Sequence, residues 1–352
     1  MTENHSFIVS QPLEGTRLLE FLATKLPLYS INTLKGLIER GSVSVNTKRA
    51  SAGLALGEGD KVAVFIPEGT RRYEPHPLPL EVLFEDGHVL AVNKPAGLAV
   101  IPERDEGVGA GFTPAQDVGA GHARGRFASA NLKPAPTFIS GLLHYLQNLS
   151  PLSSGKGLRP RLVHRLDKDT SGVLLVAKDP EAERHLCRQF EDRVIEKEYV
   201  ALVDGRAERE EADINLPLEE TTRGKMRPNP RGKEAVTQYR IQERFDGFTL
   251  LKVMPKTGRT HQIRVHLKAI CHPLSVDPLY GNRSAIFLSS LKADYKPKKG
   301  QTETPIISRL TLHAHRITFE PFPGVGKITV ESPMAEDMDR LIRVLRRYKG
   351  SG

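Results

Sequence analysis

One stretch constrains this chain more than any other: Leu162–Gly172, read LVHRLDKDTSG, followed directly by the apolar run Val173–Ala177, VLLVA. A short continuous apolar run is the pattern of a buried strand. The stretch ahead of it packs a histidine, an arginine, two carboxylates and a hydroxyl pair. A charge-dense loop feeding a buried strand is where a rigid scaffold presents reactive groups. Asp167 is the candidate reacting carboxylate. A surface turn closed by a capping Asp and a Gly has the same local composition, so this stretch alone leaves both readings open.

At 352 residues the chain is long enough for two domains, or for one large domain with a small module. A core of that size needs no covalent staples. The two cysteines, Cys187 and Cys271, show no pairing framework, and the expected compartment is the cytoplasm. No signal peptide is expected, because no basic segment precedes a long apolar one at the N-terminus. No apolar run reaches the roughly 20 residues that span a bilayer. With 51 Lys and Arg against 42 Asp and Glu, the formal net charge is +9. That excess favours a polyanionic partner over an acidic small molecule.

Thr16–Leu26 has apolar residues at 18, 19, 22 and 26, a helical face that Pro27 ends. A second helix is expected over Ile31–Glu39, with Ser30 or Asn32 as N-cap and Gly41 beyond its end. GSVSVN and GEGDKVAVFIP supply two strands and a tight turn. Arg17, Lys25, Lys35, Arg40, Lys48 and Arg49 cluster around this unit. The pieces RLLEFL, LKGLIERGSVSVN and GEGDKV, in that order between Gly15 and Pro67, resemble an S4 RNA-binding domain. The resemblance implies a small α/β module over 1–67 that docks on structured RNA through shape and phosphate contacts. Arg17, Lys35, Arg40 and Lys48 would be its RNA-binding residues. An ordinary solvated basic face is the plainer alternative.

Residues 68–79 are proline-rich and read as a linker, with a second domain over 80–352. Asp86-Gly87 sits between apolar runs as a hairpin turn, and Lys94-Pro95-Ala96-Gly97 closes the second of those strands. A Gly/Ala-rich segment at about 103–136 has no apolar period and reads as an inserted loop. Helices are expected over Ser140–Leu149, capped by Ser140, over Glu181–Asp192 with Pro180 at the first position, and over Met334–Tyr348. Strands are expected over Lys197–Val203, Ala235–Arg240 and Phe248–Pro255, with two more near the C-terminus. The run RGKMRPNPRGK over Arg223–Lys233 is a candidate phosphate-contact loop, through Arg223 and Lys225. Strands outnumber helices and are mostly hairpin-linked, so the expected fold is α+β with a mixed, largely antiparallel sheet.

Several chemistries drop out on spacing. His261 and His266 are five residues apart, off the i, i+4 spacing that would place two ligands on one helical face. With no CxxC, HExxH or acidic ligand cluster, no metal is expected. No GxSxG elbow is present for a serine hydrolase. Carboxylate chemistry remains. Asp167 and Asp169 could flank a glycosidic bond as a pair, or one Asp could act alone beside a partner cation, for which Arg165 and Arg264 are available.

LVHRLDKDTSGVLLVAKD, with EDGHVLAVNKPAGLAVIP upstream and KEYVALV and GRTHQIRVHL downstream, resembles the RluA-type family of pseudouridine synthases from Pro79 to Tyr348. An S4 domain in front is a familiar arrangement in that family. The resemblance implies an isomerase that breaks the N-glycosidic bond of a uridine in RNA, turns the uracil and rejoins C5 to the ribose. Asp167 would be the catalytic carboxylate and Arg264 its salt-bridge partner. Tyr199 would stack on the uracil and help remove the C5 proton, and Arg165 would enter the space of the flipped base. Asp169, Thr170 and Ser171 then become turn-shaping residues, and His164 a hydrogen-bonded structural one. Gly172 would allow a close backbone approach or a positive φ. One departure is Ile101-Pro102, where the family's first motif commonly ends in His-Pro, which implies a lost local RNA contact.

The implied partner is RNA, large-subunit ribosomal RNA first and transfer RNA second, for a monomeric enzyme that uses no cofactor or metal. A non-catalytic RNA-binding or ribosome-assembly protein and a nucleoside or glycoside hydrolase are the competing classes. The set Asp167, Tyr199 and Arg264 weighs against the first, and the lack of a second well-placed acid against the second.

Overall fold

The computed structural model describes residues 2–11, 14–70, 72–101, 137–149, 159–222, 224–296 and 302–350. The insertion expected at 103–136 and the candidate residue Arg223 lie outside them. Two compact units divide the described chain. One holds the chain up to Leu80 and the helix after the insertion; the other holds Glu81–Val100 and the chain from Leu162 onward.

The first unit runs β1 (Glu3–Ile8), α1 (Leu18–Lys25), α2 (Ile31–Glu39), β2 (Val43–Val45), β3 (Lys48–Arg49), β4 (Lys61–Ile66) and α3 (Phe138–Asn148). Its antiparallel sheet has the order β1-β4-β2-β3. Strand β4 alternates exposed and buried, so Val62, Val64 and Ile66 share one core with Leu18, Phe21 and Leu22 of α1 and Leu34, Leu37 and Ile38 of α2. Ser30 is the N-cap of α2, and its hydroxyl accepts from Thr33 N at 3.0 Å. Such a cap contributes about 1 kcal/mol. Strand β1 was not expected, since ENHSFI is mostly polar. It forms because every residue from Glu3 to Ile8 pairs with the edge of β4.

Helix α3 starts earlier than its sequence suggests. Thr137 takes the N-cap position and Ser140 falls inside the first turn, so Ser140 is not the cap. The proline-rich segment lies along this helix. His76 N donates to Ser140 O at 3.0 Å, and Leu78 fills the space that a side chain at Gly141 would need.

The chain then runs through β5 (Glu81–Glu85), β6 (Val89–Lys94), β7 (Arg161–Leu162), β8 (Ser171–Ala177), α4 (Pro180–Glu191), β9 (Glu196–Asp204), β10 (Glu211–Asn215), β11 (Leu218–Glu220) and β12 (Met226–Pro228). After them come β13 (Val236–Phe245), β14 (Phe248–Pro255), α5 (Gln262–Ala269), β15 (Leu312–Phe319), β16 (Ile328–Glu331) and α6 (Glu336–Tyr348). The main sheet follows the order β10-β13-β14-β9-β15-β8-β6-β5, with β16 beside β15. Along this path the β8–β15 pair is parallel and its neighbours are antiparallel. The fold is α+β with a mixed, largely antiparallel sheet, as expected.

Every residue of β8 is buried, as its apolar run requires. Val173, Leu175 and Ala177 pack with Val89 and Ala91 of β6 and with Ala182 and Leu186 of α4. Full burial of a Val or Leu side chain stabilises by about 1.5–3 kcal/mol. At the head of the strand Gly172 has φ +116°, and a Cβ there would lie 2.1 Å from Ala314 O on β15. Only glycine allows both the backbone angle and the approach. The loop that leads into β8 is thereby seated against the centre of the sheet.

Candidate active site

The loop before β8 is fixed from several sides. His164 Nε2 accepts from Leu175 N at 2.8 Å. Burial, with Lys197 adding to it, pushes this imidazole down to about 3, so it stays neutral and serves as a strut. Thr170 N donates to Asp167 O at 3.1 Å and closes the turn. Ser171, expected in that turn, begins β8 instead, with its hydroxyl 2.9 Å from His313 Nδ1.

Lys94, at the end of β6, clasps the same loop. Its Nζ donates to the carbonyls of Pro95, Leu98 and Lys168 at 2.8–2.9 Å, the full donor set of an ammonium. Gly97 N donates to the same Lys168 carbonyl at 2.9 Å, from a residue at φ +82°. Lys94 is 0% exposed, and burial pulls its amine down to about 7 against the charges of Asp169 and Asp167. The KPAG turn therefore holds the backbone one residue beyond Asp167.

Arg264 of α5 faces Asp167. Its Nη1 donates to Asp167 Oδ2 at 2.8 Å, with 8% and 20% of the two side chains exposed. The opposite edge of the guanidinium is taken by a residue the sequence did not single out. Arg264 Nε and Nη2 donate to the two oxygens of Asp277 at 2.8 and 2.9 Å, and the Asp277 side chain is 1% exposed. Burial works against the Asp277 charge, but Arg264 and the N–H groups of Leu279 and Tyr280 hold its carboxyl below the usual range. The Tyr280 ring lies 5.0 Å from the guanidinium carbon, within cation–π range.

Local hydrogen bonds explain how α5 aims Arg264. His261 precedes the helix in the left-handed region at φ 52°. Gln262 Oε1 accepts from Thr257 Oγ1 and Arg259 N at 2.7 and 3.0 Å, while its Nε2 donates to Val236 O and Thr237 Oγ1 at 3.0 and 2.9 Å. The ring nitrogens of His266 meet Thr237 Oγ1 and Leu216 O, both at 2.9 Å. A buried helix clamped at both polar faces has little freedom to swing its arginine.

Tyr199, on β9, is half-buried. Burial first, and the charge of Asp167 second, push its phenol up, so it is neutral near pH 7. Arg165 is half-buried in the loop two residues before Asp167. The remaining candidates lie elsewhere. Arg17 precedes α1, Arg40 caps the end of α2 and Lys48 is on β3, all three exposed; Lys35 lies 3.8 Å from Glu39. Lys225 is exposed at the turn between β11 and β12.

Three residues at this site escaped sequence reasoning in their roles: Lys94, Asp277 and Tyr280. The available signals were a lysine ending an apolar strand and the turn-like DPLYG, neither of which names a partner.

The pattern of the RNA pseudouridylate synthase family matches residues 88–269. The chain is 34% identical to the ribosomal large subunit pseudouridine synthase D of Nitrosomonas europaea, over 97% of this chain and 88% of the relative. The protein of that name from Escherichia coli K12 is also 34% identical, over 96% of this chain and 93% of its own. The chain belongs to the RNA pseudouridine synthase family. Its fold is shared with human RNA pseudouridylate synthase domain containing 4, at a TM-score of 0.51 and 22% identity, over 76% of this chain and 93% of that one. This pseudouridine synthase is therefore an isomerase that converts uridine to pseudouridine within RNA. Among the described residues of the synthase, no helix is long and apolar enough to cross a membrane.

Proposed function

We propose that this enzyme modifies large-subunit ribosomal RNA and that Asp167 is its reacting carboxylate. The observation that carries this reading is the Asp167–Arg264 pair: a partly accessible carboxylate held at 2.8 Å by a buried guanidinium. The isomerisation breaks the C1′–N1 bond and makes a C1′–C5 bond, and the hydrogen lost at C5 is matched by one gained at N1. Substrate and product have the same atoms and oxidation state, so the reaction needs no redox partner or group donor. Asp167 acts as nucleophile or base, oriented by the hydrogen bond from Arg264. Tyr199 stacks on the uracil. As a neutral phenol it takes the C5 proton only while releasing its own hydroxyl proton to solvent, and the hydrogen gained at N1 is drawn from solvent in turn. Arg165 enters the stack as the base flips out, where its plane and its charge both find partners.

The relatives named for the large ribosomal subunit support ribosomal RNA as the substrate, with transfer RNA as the second choice. Residues 1–67 act as an S4-like RNA-binding module, 68–79 as a linker and 80–352 as the catalytic domain. Arg17, Lys35, Arg40 and Lys48 contact phosphates from the module, and Arg223 and Lys225 do so from the second domain. The exposure of Arg17, Arg40, Lys48 and Lys225 supports this part of the reading. The enzyme works as a monomer in the cytoplasm.

The test is to incubate the protein with unmodified large-subunit ribosomal RNA and, separately, with transfer RNA, then map pseudouridine by chemical probing. New pseudouridine in ribosomal RNA is expected. Product in transfer RNA alone would overturn the substrate, and product in neither would overturn the reading.

A further inference from the structure

We propose that Asp277 is a positioning residue of the reaction, acting through Arg264 to set the one N–H edge that this arginine offers to Asp167. The inference rests on reading Asp167 and Arg264 as the reacting pair.

Two carboxylates compete for one guanidinium, and the geometry divides their tasks. Asp277 binds Nε and Nη2 with both of its oxygens, at 2.8 and 2.9 Å. A bidentate contact of this kind fixes the plane of the guanidinium as well as its distance. The edge that remains, Nη1, is the one on Asp167. Asp277 is itself immobilised: Oδ1 accepts from Leu279 N at 2.8 Å and from Tyr280 N at 3.0 Å. Its backbone is held as well, because Gly281 N donates to Asp277 O at 2.9 Å. Tyr280 covers the guanidinium at 5.0 Å, and its hydroxyl is fixed by Met226 N at 3.0 Å and His261 Nδ1 at 2.9 Å.

Access separates the two acids further. Asp277 is closed to a nucleotide, with 1% of its side chain exposed, whereas Asp167 keeps 20%. Stability alone does not account for the inner pair, because the cost of desolvating both ions offsets most of their attraction. What the inner pair adds is orientation, and a reacting group misplaced by about 1 Å can lose roughly 100-fold in rate.

The test measures kcat, KM and RNA affinity on the target RNA for Asp277→Asn, Arg264→Ala and the double variant. Asp277→Asn is expected to lower kcat roughly 10- to 100-fold, with RNA affinity within about threefold of wild type. In the Arg264→Ala background the same change is expected to cost nothing further, because both losses then run through one group. Asp277→Glu keeps the charge but shifts the carboxylate by one methylene; a lowered kcat is expected there too, and this variant carries the cycle if Asp277→Asn does not fold. Additive losses in the double variant, or wild-type kcat for either Asp277 variant, would overturn the proposal. Asp167→Asn serves as the control. An active Asp167→Asn overturns the reacting pair itself, whereas an inactive one beside a fully active Asp277 variant overturns only the positioning role.

Discussion

Arg40 and Lys48 of the first unit stand exposed on a small sheet-and-helix module, and Lys35 there reaches Glu39 only at 3.8 Å. Arg264 of the second unit has 8% of its side chain exposed and meets two carboxylates at 2.8–2.9 Å. Exposed cations interact weakly with their neighbours and are screened by salt, and in the proposed RNA-binding role each would contribute one phosphate contact at a time. A buried cation has no water to fall back on, so its partners act as a unit and the loss of one strands the others. On the proposed reading, cations would give graded RNA affinity in the first region and fixed geometry in the second.

The sharpest way to break that contrast is Arg264→Ala. It leaves Asp167 and Asp277 with no cation between them. Product formation in single turnover should fall by roughly 100- to 1000-fold, and unfolding free energy by about 3–5 kcal/mol. A loss within tenfold would mean that burial confers no special status.

Lys94→Met comes next. It removes three N–H donors and leaves the carbonyls of Pro95, Leu98 and Lys168 short of partners. Denaturant unfolding should show a loss of about 3 kcal/mol, with turnover reduced because the clasp beside Asp167 is gone. Unchanged stability would make the clasp incidental.

A smaller effect tests His164. Its imidazole, at about 3 in the fold, sits below its ordinary value of 6.5. The neutral ring's contribution is therefore fully present above about pH 6.5 and is lost as pH falls toward 3. Melting temperature should decline across that window, and His164→Gln, which keeps an acceptor for Leu175 N but does not titrate, should flatten the decline. An identical decline in the variant would assign the acid sensitivity to other groups.

The smallest effects belong to the exposed cations. Arg40→Ala and Lys48→Ala should each weaken RNA binding a few-fold and reduce the slope of log affinity against log salt by about 0.7–0.9, with kcat unchanged. A variant that abolished turnover at saturating RNA would erase the distinction between the two regions.

Features governed by neighbours in the chain were legible in the sequence. The run VLLVA became the buried β8, Pro180 opens α4 behind Asp179, and Ser30 caps α2. Features governed by distant partners were not. Strand β1 exists because β4 supplies its ladder, and its polar alternation says nothing of that. Lys94 reads as a surface charge ending a strand, yet it is buried by a carbonyl 74 residues away. Asp277 lies 13 residues from Arg264 in a turn whose sequence is compatible with many partners. Asp167 and Arg264 are 97 residues apart, and their pairing was anticipated from family resemblance, since no spacing rule connects them.

The most direct test of the central claim, that one carboxylate held by a buried arginine performs the isomerisation, is Asp167→Asn assayed for both RNA affinity and pseudouridine formation. Asn keeps the size and hydrogen-bonding shape but removes the charge. No pseudouridine, with RNA affinity within a few-fold of wild type, is the predicted result. Pseudouridine formed at a rate near that of the wild-type enzyme would contradict the claim.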